Sequence, residues 1–87
     1  MQREQIRDLL QEILEEETGE VAIDLPDETR LTERFRLDSV DIVSLVMQVE
    51  RRFGIRLRQD DLSAVDTLAS LIDLVDGRIE GFAAVEA

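Results

Sequence analysis

The sequence predicts an all-α fold, a small antiparallel bundle of three main helices and one short helix. Apolar residues recur at helical spacing in three segments, and these segments are bounded by glycine or by residues that commonly cap helices. At 87 residues the chain has room for a single hydrophobic core. We therefore expect one domain over residues 1–87, with a core over about residues 2–80 and a frayed C-terminal tail over 81–87.

The first main helix is predicted over residues 2–17. Its apolar residues fall within one sector of a helical wheel, and most of the charged residues lie outside that sector. Thr18-Gly19 supplies the end, because glycine adopts the left-handed conformation that commonly terminates helices. The predicted core residues of this helix are Ile6, Leu9, Leu10, Ile13 and Leu14.

A long connection is predicted over residues 20–38, which contain Pro26 and no sustained helical period. Connections of this length are uncommon in small domains unless their own side chains pack against the core. We expect such packing here, with one short turn over residues 32–35. The anchoring residues are predicted to be Val21, Ile23, Leu25, Leu31, Phe35 and Leu37.

The second main helix is predicted over Ser39–Phe53, a segment without glycine or proline that is followed by Gly54. Asp38 is a good N-cap residue, and Asp41 takes the third helical position. One sector of this helix is apolar enough to form a core face. Its residues are Ile42, Leu45, Val46, Val49 and Phe53.

After Leu57 we predict a short turn near Asp60–Ala64 and then a last helix, which begins after an Asp66 cap. Gly77 and Gly81 favour fraying of this helix toward the tail. Its core stripe is predicted to be Leu68, Leu71, Ile72, Val75 and Ile79.

The composition argues against intrinsic catalysis. The chain has no Cys, His or Lys, which excludes thiolate and imidazole zinc sites, disulfides, cysteine nucleophiles and Schiff-base lysines. A Walker-type phosphate loop is excluded because it needs a lysine. We predict no catalytic residue and no metal site.

The charge predicts the kind of partner. Ten arginines stand against 21 acidic residues, for a net charge of -11, so the chain repels nucleic acid and anionic membranes. Charged residues interrupt the N-terminus, and no stretch reaches the length of a membrane span. We expect a cytoplasmic protein whose partners carry cationic surfaces.

The second main helix carries a surplus set of apolar residues opposite its core face. Val40, Val43 and Met47 lie there at spacings of three and four, and we call them the apolar stripe. One interpretation is that the helix is central and buried on both sides. The other is that the apolar stripe docks into a partner's groove, while Asp38, Asp41 and Glu50 meet cationic residues around the rim.

The segment Leu37-Asp38-Ser39-Val40-Asp41 and the helix that follows it resemble the Asp-Ser-Leu attachment motif of acyl carrier proteins. The resemblance covers about residues 4–76. It implies that a phosphopantetheinyl transferase moves 4'-phosphopantetheine from coenzyme A onto Ser39. It also implies an acyl-loading ligase or acyltransferase and downstream synthase enzymes as further partners, with the carrier itself a non-catalytic monomer.

The residues agree with this resemblance. A chain without cysteine can hold a thioester only on a prosthetic arm. The start of a helix favours an attached phosphodiester, because its backbone N–H groups and dipole attract negative charge. Asp38 and Asp41 oppose that attraction, so we assign them to capping and to recognition by cationic partners.

The chain departs from the common family pattern at five positions. Arg36 replaces a glycine, Val40 a leucine and Ser44 a glutamate, and Arg51 and Arg52 make the end of the second main helix positive. These differences favour a dedicated biosynthetic pathway, such as polyketide synthesis, over the standard fatty-acid synthase. A peptidyl carrier fits less well.

Two other functions compete with the carrier. The chain is alternatively an unmodified acidic helical module that docks to or regulates an enzyme through the apolar stripe. An acid/base enzyme is the weaker alternative, because most of the carboxylates belong to solvated helix faces.

Overall fold

The computed structural model describes the backbone of residues 1–63 and 65–86, with their side chains except those of Gln59, Ser63 and residues 80–86. Within this part of the chain five helices follow one another and no strand forms, which confirms the all-α fold. Both predicted turns are helical, so the bundle contains two short helices instead of one. The helices are α1 (Arg3–Thr18), α2 (Leu31–Phe35), α3 (Ser39–Phe53), α4 (Gln59–Ser63) and α5 (Leu68–Glu86).

Two expectations concern residues outside this description. The turn predicted near 60–64 corresponds to α4, and Ala64 lies outside the described residues. The backbone of α5 is helical through Glu86 and residue 87 lies outside the described residues, and the fraying of residues 81–87 stays a prediction.

The core forms where α1 packs against α3 and α5. The predicted apolar sector of α1 is buried except for Leu9, which is half-buried. The stripe of α5 is likewise buried as far as Val75, and Ile79 packs against the core from its edge. The largest fully buried side chains are Ile6, Leu10, Ile13, Leu14, Val49, Leu68, Ile72 and Val75.

The connection between α1 and α2 packs on the core differently from the prediction. Val21 and Ile23 are exposed, while Ala22 between them is buried together with Leu25. The reason is polar: the Ala22 N–H donates to Glu15 Oε1 over 2.9 Å, and the Leu25 N–H donates to Gln11 Oε1 over 3.0 Å. These two bonds fix which side of the extended segment faces α1, so the prediction for Val21 and Ile23 was wrong.

The helix ends follow local signals in α1 and α3. Gly19 and Gly54 take left-handed conformations, with φ of 73° and 66°, and both end their helices as predicted. The predicted cap of α5 was wrong by one residue: the Ser70 N–H donates to Thr67 Oγ1 over 3.2 Å. Asp66 instead pairs with Arg30 over 3.1 Å, across an antiparallel bridge that joins Arg30 to Thr67.

The short helix α4 is tied to α5 by an ion pair between Asp61 and Arg78, 2.5 Å apart. The Arg58 N–H also donates to Asp61 Oδ2 over 2.9 Å. The hydrogen bond from the Arg58 backbone, followed by the one from Arg78, lowers the pKa of Asp61 below its usual value. The ionised carboxylate of Asp61 therefore stabilises the folded state.

Asp61→Asn should destabilise the protein near neutral pH and matter less in acid. A lowered folded-state pKa adds stability that is present above the unfolded-state pKa of about 3.9 and is lost as pH falls through the folded-state value. Urea unfolding at pH 7 and at about pH 3 measures the effect. Asp60→Asn, which changes an exposed neighbour, is the control. The prediction would be contradicted if the difference in unfolding free energy between wild type and Asp61→Asn were the same at both pH values.

Candidate functional site

Ser39 is the first residue of α3 and is exposed. The helix is capped by two carboxylates without its help. The Asp41 N–H donates to Asp38 Oδ1 over 2.8 Å, and the Asp38 N–H donates to Asp41 Oδ2 over 3.2 Å. This reciprocal capping box confirms the predicted N-cap and leaves the Ser39 hydroxyl at the surface.

The electrostatics at Ser39 combine two opposing contributions. The unpaired N–H groups of the first turn give the helix start a partial positive charge, which attracts an anion. The carboxylates of Asp38 and Asp41 lie in the same turn, and each already accepts one backbone hydrogen bond. The helix start therefore attracts an anion attached to Ser39, while the carboxylates of Asp38 and Asp41 repel it.

The chain reaches Ser39 through a tight turn at the end of α2. Arg36 has a left-handed conformation with φ of 54°, and its N–H donates to the Thr32 carbonyl. The Leu37 N–H donates to the same carbonyl over 3.0 Å, and the Leu37 side chain packs against the core. The turn thus anchors the chain two residues before Ser39.

The apolar stripe is exposed. Val40, Val43 and Met47 are 75%, 57% and 54% exposed, while Leu45 and Val49 on the opposite side are buried. The interpretation of α3 as a helix buried on both sides is therefore wrong. Solvated apolar side chains aligned along one helix are typical of a surface that another molecule covers.

Behind α3 lies a small apolar cavity of about 60 Å³, between α2, α3, α4 and the start of α5. The predicted core residues Ile42 and Val46 line this cavity and are half-buried. The sequence did not predict this cavity. Its lining is Leu31, Thr32, Leu37, Ile42, Leu45, Val46, Val49, Leu57, Leu62, Val65, Asp66 and Leu71.

The charged residues around the apolar stripe differ in how far they are already engaged. Glu50 is half-buried and its Oε2 accepts the Leu57 N–H over 2.9 Å, so it holds the loop after α3. Arg52 pairs with Glu12 of α1 over 3.1 Å. Arg51 is exposed and, with Met47, lines an open depression beyond the end of α3.

Ser44 also has a structural contact, because its hydroxyl donates to Glu17 Oε1 over 3.2 Å and ties α3 to α1. Across the described residues, no three acidic side chains converge in a way that would hold a metal ion. In the same part of the chain, no helix has the length and apolar character needed to cross a membrane.

The fold and this site define a small helical domain that presents a serine at the start of an exposed helix, next to an apolar cavity. Comparison with known proteins agrees with that description. The family model described as the phosphopantetheine attachment site matches residues 4–75. The chain belongs to the acyl carrier protein family, whose attachment domain carries 4'-phosphopantetheine and whose members are carriers, not catalysts.

Individual relatives are similar over most of their length. The acyl carrier protein of Saccharopolyspora erythraea is 31% identical over 74 residues, which cover 85% of this chain and 78% of that protein. The acyl carrier protein of Micrococcus luteus is 28% identical over 75 residues, which cover 86% of this chain and 93% of that one.

Solved structures are similar in fold. The crystal structure of the acyl carrier protein from Thermotoga maritima has a TM-score of 0.81 and 27% identity, covering 94% of this chain and 95% of that one. The solution structure of the holo acyl carrier protein from Geobacter metallireducens has a TM-score of 0.78, with 90% of each chain covered. At 23% identity, this second likeness supports the fold alone. The resemblance stated from the sequence is confirmed.

Proposed function

We propose that Ser39 carries the 4'-phosphopantetheine arm, and that the domain presents thioester-bound biosynthetic intermediates to partner enzymes. The observation that carries this proposal is the Ser39 hydroxyl, exposed at the start of α3 because Asp38 and Asp41 cap the helix by themselves. The residues fit the group: the first-turn N–H groups attract its phosphate, and the open surface leaves room for the arm.

The attachment reaction needs an external enzyme. The Ser39 oxygen forms a bond to the phosphorus of the pantetheine phosphate, while the pyrophosphate bond of coenzyme A breaks and adenosine 3',5'-bisphosphate leaves. The hydroxyl proton goes to a base, and the chain has no histidine, the usual base near neutral pH. A phosphopantetheinyl transferase supplies that base together with the coenzyme A site.

We assign the apolar stripe to partner docking. Its three side chains run along α3 on the side away from the core, starting one residue after Ser39. Asp38 and Asp41 lie at the Ser39 end and attract a cationic rim, and Glu50 lies near the other end. The partners are the transferase, an acyl-loading ligase or acyltransferase, and downstream synthase enzymes.

Asp41→Arg should slow loading by the transferase about threefold to tenfold, mainly through the association rate, with the loss shrinking as salt is added. The same change breaks the capping box and places a cation at the helix start, which costs about 1–2 kcal/mol of folding stability. Asp41→Asn is the matched control, because an amide oxygen can still accept the Asp38 N–H. Loading rates are measured from low to high salt. If Asp41→Arg loads at the wild-type rate throughout, the docking charges lie elsewhere.

The charge at the far end of α3 supports a dedicated pathway, polyketide, fatty-acid-like or another specialised one, over the standard fatty-acid synthase. Arg52 is engaged by α1, but Arg51 and Arg56 are exposed in the depression that Met47 and Glu50 also line, so cations outnumber the one acid at this end of the docking surface. We also propose that the carrier works in the cytoplasm. We propose that it is a monomer, since a net charge of -11 opposes self-association.

Two experiments test the function. Intact mass measured after incubation with coenzyme A and a broad-specificity phosphopantetheinyl transferase should increase by one phosphopantetheinyl group. An unchanged mass with several transferases would favour the unmodified docking module, which the exposed apolar stripe equally suits. Expression with the neighbouring genes of the native genome, followed by mass spectrometry of the thioester, identifies the cargo.

A further inference from the structure

Arg36 occupies a backbone conformation that its side chain disfavours. Among the described residues, Asp24 and Arg36 are the non-glycine residues with positive φ, each at 54°. Aspartate tolerates this region because its short polar side chain can hydrogen-bond locally, whereas arginine has no such compensation. Glycine would adopt the same conformation without strain. Strained residues of this kind cluster at functional sites.

Within the described part of the chain, the fold does not use the charge of Arg36. Its side chain is exposed, and it takes part in none of the ion pairs found among the described residues. The neighbouring Arg34 differs, because it pairs with Glu20 over 3.7 Å and lies over the Phe35 ring at 4.8 Å from its centre. Of the cations that form no ion pair with the described residues, Arg36 is therefore the one nearest to Ser39 in the sequence.

We propose that Arg36 is a positioning residue whose guanidinium serves as the counter-ion of the phosphodiester on Ser39. This inference rests on the proposed function. The arm adds a third anion to a turn that already holds Asp38 and Asp41. The three residues from Arg36 to Ser39 span at most about 11 Å, a distance that a long arginine side chain and the attached phosphate bridge together.

The chemistry suits this pairing. A guanidinium presents paired N–H donors that match two oxygens of a phosphate, and it stays charged at every working pH. The contact would offset the repulsion from the two carboxylates and hold the root of the arm against the turn. In the unmodified protein the same side chain pairs with no anion among the described residues, so its strain brings no gain there before the arm is attached.

The test compares thermal midpoints of the unmodified and fully loaded 87-residue proteins in four forms: wild type, Arg36→Gln, Arg36→Lys and Arg36→Gly. Loading uses coenzyme A and a broad-specificity transferase, with completeness checked by intact mass. Arg36→Gln removes the charge and keeps the backbone strain, while Arg36→Lys keeps the charge. Arg36→Gly relieves the strain and should raise the midpoint of the unmodified protein by about 2–5 °C.

Loading should lower the midpoint of Arg36→Gln and Arg36→Gly by about 1–4 °C more than it lowers that of wild type, with Arg36→Lys close to wild type. Added salt should reduce these differences. Equal loading shifts in all four proteins would overturn the role of Arg36 and leave the proposed function standing. No attachment to Ser39 in any of them would overturn both.

Discussion

Ser39→Ala should abolish attachment of the phosphopantetheinyl group and leave the fold intact. The substitution removes the oxygen that forms the bond to phosphorus, so incorporation falls from one group per chain to none. The capping box of Asp38 and Asp41 does not use that oxygen, and alanine is the best helix former. Intact mass measures attachment, while far-UV circular dichroism and urea unfolding should match wild type within about 0.5 kcal/mol.

The matched control is Ser44→Ala, which removes a second hydroxyl from the same helix. Ser44 is half-buried and bonded to Glu17, so its loss should leave attachment complete. It should cost about 1 kcal/mol of folding stability, since one hydrogen bond is lost. A phosphopantetheinyl group that persists on the Ser39→Ala protein would place the attachment residue elsewhere.

Local signals were enough to predict the ends of α3. Its bounds, Ser39 and Phe53, were predicted because an N-cap aspartate and a terminating glycine act within one turn of the helix that they delimit. The first helix was predicted one residue early at each end. An error of this size is expected, because helix boundaries depend on only a few backbone contacts. The attachment motif is similarly local, since Ser39 and its capping neighbours span four residues.

Features set by distant contacts could not be predicted in this way. Ala22 is buried in place of its larger neighbours because two side chains of α1 accept hydrogen bonds from the loop. Thr67 replaces Asp66 as the cap of α5 because Asp66 is paired with Arg30, 36 residues earlier. To predict that the apolar stripe is exposed, one must know which helices pack on α3. Periodicity alone left both interpretations open.

Met47→Arg should lower kcat/KM for loading by the transferase at least about tenfold, with a change in folding stability below about 0.5 kcal/mol. Met47 is 54% exposed on the side of α3 opposite Leu45 and Val49, so a longer charged side chain there leaves the core unchanged. It would place an unpaired cation where we propose that a partner covers the apolar stripe, and burying that charge is costly. Because the lost contact is apolar, the defect should persist as salt rises, unlike that of Asp41→Arg.

The matched control is Ile23→Arg, which makes the same kind of substitution at a residue that is 64% exposed but lies in the loop before α2. Loading kinetics and urea unfolding, measured on both variants, separate docking from a general effect of an added cation. We expect Ile23→Arg to load like wild type. Equal losses in both variants would mean that surface charge alone slows the transferase, and normal loading of Met47→Arg would remove the apolar stripe from the docking surface. If Met47→Arg unfolds instead, this side chain supports the core. A residue that contacts only partners can be replaced without a change in folding stability.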